Sequence, residues 1–142
     1  MREPLVIPPG VAEAIVAHAR AAAPRECCGL VSGDGRRCRV VHPLTNVAAS
    51  ADEFAADDRQ QTAVREAVRA SGGRIVAVYH SHPRTEARPS RADVARWFTP
   101  RVAHVIVSLA GAEPELRAFC IDPSTDPPVH ELAIADGRTA PA

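Results

Sequence analysis

Residues 75–80 read Ile-Val-Ala-Val-Tyr-His, an unbroken apolar run that leads straight into a histidine. A strand with one wet face alternates apolar and polar side chains, whereas a continuous run of this kind suits a central strand covered on both faces. Such a strand needs layers above and below it, so the chain is expected to form a layered α/β domain. Where the strand ends, the chemistry begins. Residues 79–93 read Tyr-His-Ser-His-Pro-Arg-Thr-Glu-Ala-Arg-Pro-Ser-Arg-Ala-Asp. His80 and His82 are two apart, so on an extended backbone they share a face.

The flanking sequence supplies the other layers. Pro8, Pro9 and Gly10 introduce a helix over 11–22, with Val11, Ile15, Ala19 and Ala22 on its inner stripe and His18, a structural histidine, at the edge. Pro24 ends it. Residues 27–33, Cys-Cys-Gly-Leu-Val-Ser-Gly, read as a short buried strand closing in a Gly-Asp-Gly turn, with 37–44 as its hairpin partner. A short extended piece is expected at 53–55. A second helix follows over 57–70, stopped by Ser71-Gly72-Gly73. A third runs from Ser90 to about Phe98. Strands are expected at 102–110 and 116–121, and an outer strand at 129–134. One domain covers 1–135 and a flexible tail 136–142. Helices alternating with strands give a mixed sheet flanked by helices.

Composition narrows the function classes. Lys plus Arg equals Asp plus Glu at 17 each, every cation being arginine, so the net charge is zero. That argues against broad binding of nucleic acid. No apolar run approaches the roughly 20 residues needed to cross a bilayer, and the N-terminal residues lack the apolar core of a signal peptide, so a cytoplasmic protein is expected. Cys27, Cys28, Cys38 and Cys120 show no C-x-x-C spacing and read as small buried apolar residues in a reducing compartment. A cysteine nucleophile at Cys27 or Cys28 has nothing beside it that lowers a thiol pKa.

His80, His82 and Asp93 offer two imidazoles and a carboxylate, the donors that hold a catalytic Zn²⁺ with one position open for water. Each part also has a plainer reading. Two histidines spaced by one residue also occur as a surface pair. Ser90-x-x-Asp93 also reads as a helix capping box, which is compatible with presenting Asp93 to a metal. Glu26, directly before the buried strand, is either a solvated loop carboxylate or the proton acceptor such a site needs. Glu86 is nearer in sequence but sits mid-loop, in solvent. Trp97 and Phe98 follow Asp93 by about one helical turn and are expected inside rather than in a groove.

Taken together, Glu26, His80-Ser81-His82-Pro83 and the spacing H-x-H-x7-S-x-x-D resemble the JAMM (MPN-plus) metalloprotease signature. The stretch Pro-Arg-Glu-Cys-Cys-Gly-Leu-Val-Ser-Gly, and Leu44-Thr45-Asn46 followed by Phe54, Asp57 and Gln60, look like the short prokaryotic members, over about 6–134. The resemblance implies a cytidine-deaminase-like JAMM/MPN fold, with one Zn²⁺ per chain held by His80, His82 and Asp93. It implies Glu26 as general base and then acid, and Ser90 as a donor to the developing oxyanion. It points to the Mec-like enzymes, which release cysteine or another adduct from the C-terminal Gly-Gly of a ubiquitin-like sulfur-carrier protein. A tail without side chains suits a narrow slot and adds as a strand to a sheet edge, here expected near 53–55. Exposed sheet edges in short members make a homodimer compatible with the resemblance.

Three rivals stand beside this reading. RadC-type proteins linked to DNA repair carry a similar histidine and serine string, but the neutral charge counts against nucleic acid as partner. Metal-free MPN relatives are non-catalytic interaction modules, but they lose ligands that this chain keeps. A deaminase would need an H-x-E…P-C-x-x-C signature, which is absent.

Overall fold

A computed structural model describes residues 2–96 and 101–137. Trp97, Phe98 and the tail residues 138–142 lie outside them. The elements in chain order are β1 (Leu5–Val6), α1 (Pro9–Ala22), β2 (Cys28–Asp34), β3 (Arg37–Leu44), α2 (Asp58–Ala70), β4 (Arg74–His82), α3 (Arg91–Arg96), β5 (Ala103–Ser108), β6 (Glu115–Ile121), β7 (Val129–Leu132) and β8 (Ile134–Ala135). The eight strands form one mixed sheet in the order β7-β6-β5-β4-β2-β3-β1-β8.

The apolar run of β4 is central, as its composition requires. It lies antiparallel to β2 on one side and parallel to β5 on the other. Parallel neighbours need a crossover, and the segment carrying α3 supplies it. Both faces of β4 are covered. Val76 and Ala77 belong with Ile15, Ala19, Val31 and Val105 to the larger core cluster, which α1 closes. Val78 packs with Cys28, Leu30 and Leu44 on the α2 side. The neighbouring cysteines at the start of β2 divide between these two cores, Cys27, just before the strand, to one and Cys28 to the other.

One close approach fixes the packing between β2 and β4. Gly29 lies opposite Tyr79, and a Cβ at Gly29 would overlap the Tyr79 ring. The ring therefore lies where any other residue would stand. The Tyr79 hydroxyl is hydrogen-bonded to Nδ1 of His18 at 2.6 Å, and burial lowers the His18 pKa, which favours the neutral ring.

Most expected elements are present, and the departures have physical causes. α1 begins at Pro9 because Pro8 serves as its cap, its carbonyl accepting from Val11 N and Ala12 N. The α2 helix is capped by Asp57, which accepts from Gln60 N. The piece around Glu53–Ala55 is not a strand of the sheet; it makes only an isolated bridge, Asn46 with Ala56. The expected outer strand at 129–134 divides at Ala133: β7 pairs with β6, while β8 pairs with β1. Since one residue separates these two pieces, the two margins of the sheet adjoin and the sheet curls closed.

Candidate metal centre and catalytic cleft

β4 stays extended through both histidines, so His80 and His82 project from the same face, as their spacing predicts. Their Nε2 atoms lie 3.0 Å apart. Oδ2 of Asp93, in the first turn of α3, stands 3.2 Å from the His80 Nε2 and 3.1 Å from that of His82. Asp93 is held there by a reciprocal cap. Ser90 N donates to Asp93 Oδ2 at 2.9 Å, and Asp93 N donates to Ser90 Oγ at 3.0 Å. The capping and site readings of Ser90-x-x-Asp93 thus describe one arrangement. His82 Nδ1 donates to the Glu86 carbonyl at 2.8 Å, which leaves the Nε2 lone pair facing the centre.

Register brings Glu26 to the same place. Cys28 lies opposite His80, and continuing that antiparallel pairing sets Glu26 opposite His82. The Ser81 N donation to the Cys27 carbonyl at 3.1 Å extends the pairing in that direction. Glu26, His80 and His82 each offer a ligand-type atom within 4.8 Å of the other two. Ser81 points the opposite way and accepts from Cys27 N at 2.8 Å, which locks the two strand ends together.

Three donor atoms 3.0–3.2 Å apart approximate one face of a tetrahedron around a small dication, whose edges at bonds of 2.0–2.1 Å are about 3.3 Å. Buried lone pairs converging this closely repel unless a proton or cation lies between them. The electrostatics agree. Burial alone would raise the Asp93 carboxyl, yet the imidazoles of His80 and His82 beside it hold it well below the usual carboxylate range. Burial lowers the His80 pKa. At His82 burial is outweighed by Asp93 and the Glu86 carbonyl, and the pKa rises. Glu26 is pushed up to about 7, first by burial and then by Asp93, Asp52 and Glu53, against a lowering by His82. A carboxyl poised near neutrality beside a metal-type donor set is suited to take up and release a proton.

The centre opens into a cleft of about 320 Å³ that Glu26, Phe54, His82, Arg84, Ser90 and Asp93 help to line. The Ser90 hydroxyl oxygen already accepts from Asp93 N, so its own proton is free to donate into the cleft. Cys27 and Cys28 give no nucleophile, since burial pushes their thiols up to about 11 and about 12. Glu86 contributes its carbonyl, and its side chain is exposed.

Some functional neighbours were not legible in the motif. The Phe54 ring stacks on His80, centroids 4.5 Å apart and planes at 23°. Asn46 joins the Glu26 strand to the cleft wall with four hydrogen bonds. Its Nδ2 donates to the carbonyls of Glu26 and Glu53 at 2.9 and 3.0 Å, and its Oδ1 accepts from Ala48 N and Ala55 N at 2.9 and 3.0 Å. The segment expected as a sheet edge at 53–55 is therefore a lip of the cleft, drawn in by one amide. Ser108 Oγ donates to the Thr85 carbonyl at 2.6 Å and tethers the loop after β4. Among the described residues, no helix is long and apolar enough to cross a membrane.

Residues 8–122 match the family described as prokaryotic homologs of the JAB domain. The chain is 38% identical over 120 residues to a CysO-cysteine peptidase of Mycobacterium tuberculosis, covering 82% of each chain. It is 37% identical over 120 residues to a probable TtuB-protein conjugate cleaving protease of Thermus thermophilus, covering 82% of this chain and 76% of that one. The solution structure of a protein from Desulfitobacterium hafniense is 35% identical, with a TM-score of 0.79 over 91% of this chain and 90% of that one.

Proposed function

The chain belongs to the prokaryotic JAB family, and from that premise we propose that it is a zinc-dependent peptidase of the JAMM type. Its substrate is an amide bond after the C-terminal Gly-Gly of a ubiquitin-like or sulfur-carrier protein. The observation that carries the reading is the meeting of Glu26 with His80, His82 and Asp93, three of which, Glu26, His82 and Asp93, line one cleft. Relatives whose names specify a CysO-cysteine peptidase and a TtuB-protein conjugate cleaving protease support the carrier as substrate.

His80, His82 and Asp93 would hold the zinc. When bound, the ion supplies a positive charge that acidifies water and polarises a carbonyl. Glu26 accepts the proton of the attacking water and later delivers it to the leaving amine, a role suited to a half-buried carboxyl beside the donor set. Ser90 donates its free hydroxyl proton to the carbonyl oxygen as charge develops there. Phe54 keeps the His80 ring in place and shields the centre from bulk water on that side. A Gly-Gly tail reaches the floor of the cleft because it brings no side chains to clash with the lip. Four free cysteines agree with a reducing, cytoplasmic setting.

The test is hydrolysis of a carrier–amino acid adduct, followed by mass spectrometry, for the wild-type and Glu26→Gln proteins alongside elemental analysis. The wild type is expected to carry one zinc per chain and to release the amino acid. Glu26→Gln is expected to keep the zinc and lose turnover by several orders of magnitude. Equal rates would remove Glu26 from the mechanism. A stable, metal-free wild type would favour the non-catalytic interaction module instead.

A further inference from the structure

The walls of the cleft are charged unevenly. Glu26, Asp52, Glu53 and Asp93 place four carboxylates on its lining, and Arg84 is the one guanidinium there among the described residues. Arg84 stands on the loop just after His82, and Asp52 on the lip across the cleft. The two reach each other at 3.5 Å, Arg84 Nη2 to Asp52 Oδ1, with side-chain exposures of 71% and 84%. A single contact of that length between exposed side chains contributes little and is readily exchanged for a better one.

A leaving group's charge matters greatly in such a place. An amino acid joined through its α-nitrogen keeps a free carboxylate only two bonds from the scissile nitrogen. It thus brings an anion to the mouth of the cleft, beyond the zinc that His80, His82 and Asp93 would hold, where Arg84 is the guanidinium that can meet it. A lysine side chain joined by an isopeptide bond within a protein brings no such charge. Arg84 has the planar fork that binds a carboxylate through two hydrogen bonds, and only its loose hold on Asp52 to give up.

We propose that Arg84 is the leaving-group subsite, exchanging Asp52 for the free α-carboxylate of an amino acid conjugated through its α-nitrogen. The proposal rests on the peptidase reading and narrows its substrate to carrier–amino acid adducts in preference to carrier–protein conjugates.

Two adducts of one Gly-Gly-ended ubiquitin-like carrier test it, one bearing alanine and the other alaninamide at the terminal glycine. The wild type is expected to prefer the free acid by about tenfold in kcat/KM, mostly through KM, as one charge-assisted hydrogen-bonded contact implies. Arg84→Gln is expected to bring that ratio close to one, and Arg84→Lys to restore part of it. A wild type indifferent to the carboxylate, or an Arg84→Gln variant that keeps the preference, overturns the proposal. If the wild type cleaves alaninamide as well as alanine, the peptidase reading stands and only the role of Arg84 is lost. If it cleaves neither adduct, both fall.

Discussion

Glu26 is pulled in two directions, since catalysis wants it charged and its surroundings do not. Burial places its pKa near 7 in the protein without metal, against an ordinary value of 4.5. A raised carboxyl pKa means that ionisation opposes folding. The penalty is absent below the unfolded pKa, grows between about 4.5 and 7, and is complete above that. Glu26→Gln is therefore expected to raise the melting temperature of chelator-treated protein at pH 8, with the gain vanishing towards pH 4. A gain independent of pH would mean that the carboxylate is not strained by its site. At this scale the sequence was informative where the chemistry is local. His80, His82, Ser90 and Asp93 sit on one short stretch whose spacing states their geometry. Glu26 lies far from them in sequence; its place at the mouth of a buried strand left it either a solvated carboxylate or the proton acceptor, and resemblance favoured the second. The pairing of β2 with β4 is the physical reason it arrives. Phe54 and Asn46 are brought in by loop closure, which leaves no periodic trace in a sequence.

Among the elements, α3 shows how a short helix serves two ends. Its capping hydrogen bonds hold Asp93 towards the histidines and turn the Ser90 hydroxyl towards the cleft. The two roles separate by magnitude. Ser90→Ala is expected to cost about 1 kcal/mol of stability, the ordinary value of a lost cap, but about 10²–10³ in kcat. Ser90→Thr keeps the hydroxyl and is expected to recover most of both. Thermal melting and steady-state kinetics on the same samples check this, and a rate loss no larger than the stability loss would reduce Ser90 to a cap. Strand β4 and the β2–β3 hairpin were readable because unbroken apolar runs and a glycine turn dictate them. The lip at 53–55 was misread as a sheet edge, since an extended stretch tied down by one asparagine looks in sequence like a short strand.

For the molecule as a whole, the sheet's closure is the feature that sequence did not disclose. Residues 129–134 read as one outer strand because nothing in their pattern marks the change of partner at Ala133. The joint consists of β8 on β1, with Leu5 N donating to the Ala133 carbonyl at 2.9 Å and Ile7 N to that of Ala135 at 2.8 Å. Removing residues 133–142 is expected to leave β2, β4 and β5 intact and to expose the amides of Leu5 and Ile7. Hydrogen exchange there should quicken by at least tenfold while the amides of β4 stay protected. Exchange that is unchanged at Leu5 and Ile7 would show that the joint contributes nothing. The same joint bears on how the protein is made. The residues that lock β1 in place, Ile134 and Ala135, are made long after β1 itself. While the chain is still emerging, the catalytic strands can already pair, but β1 waits with one flank unbonded. Completion of the sheet at β1 thus waits for β8.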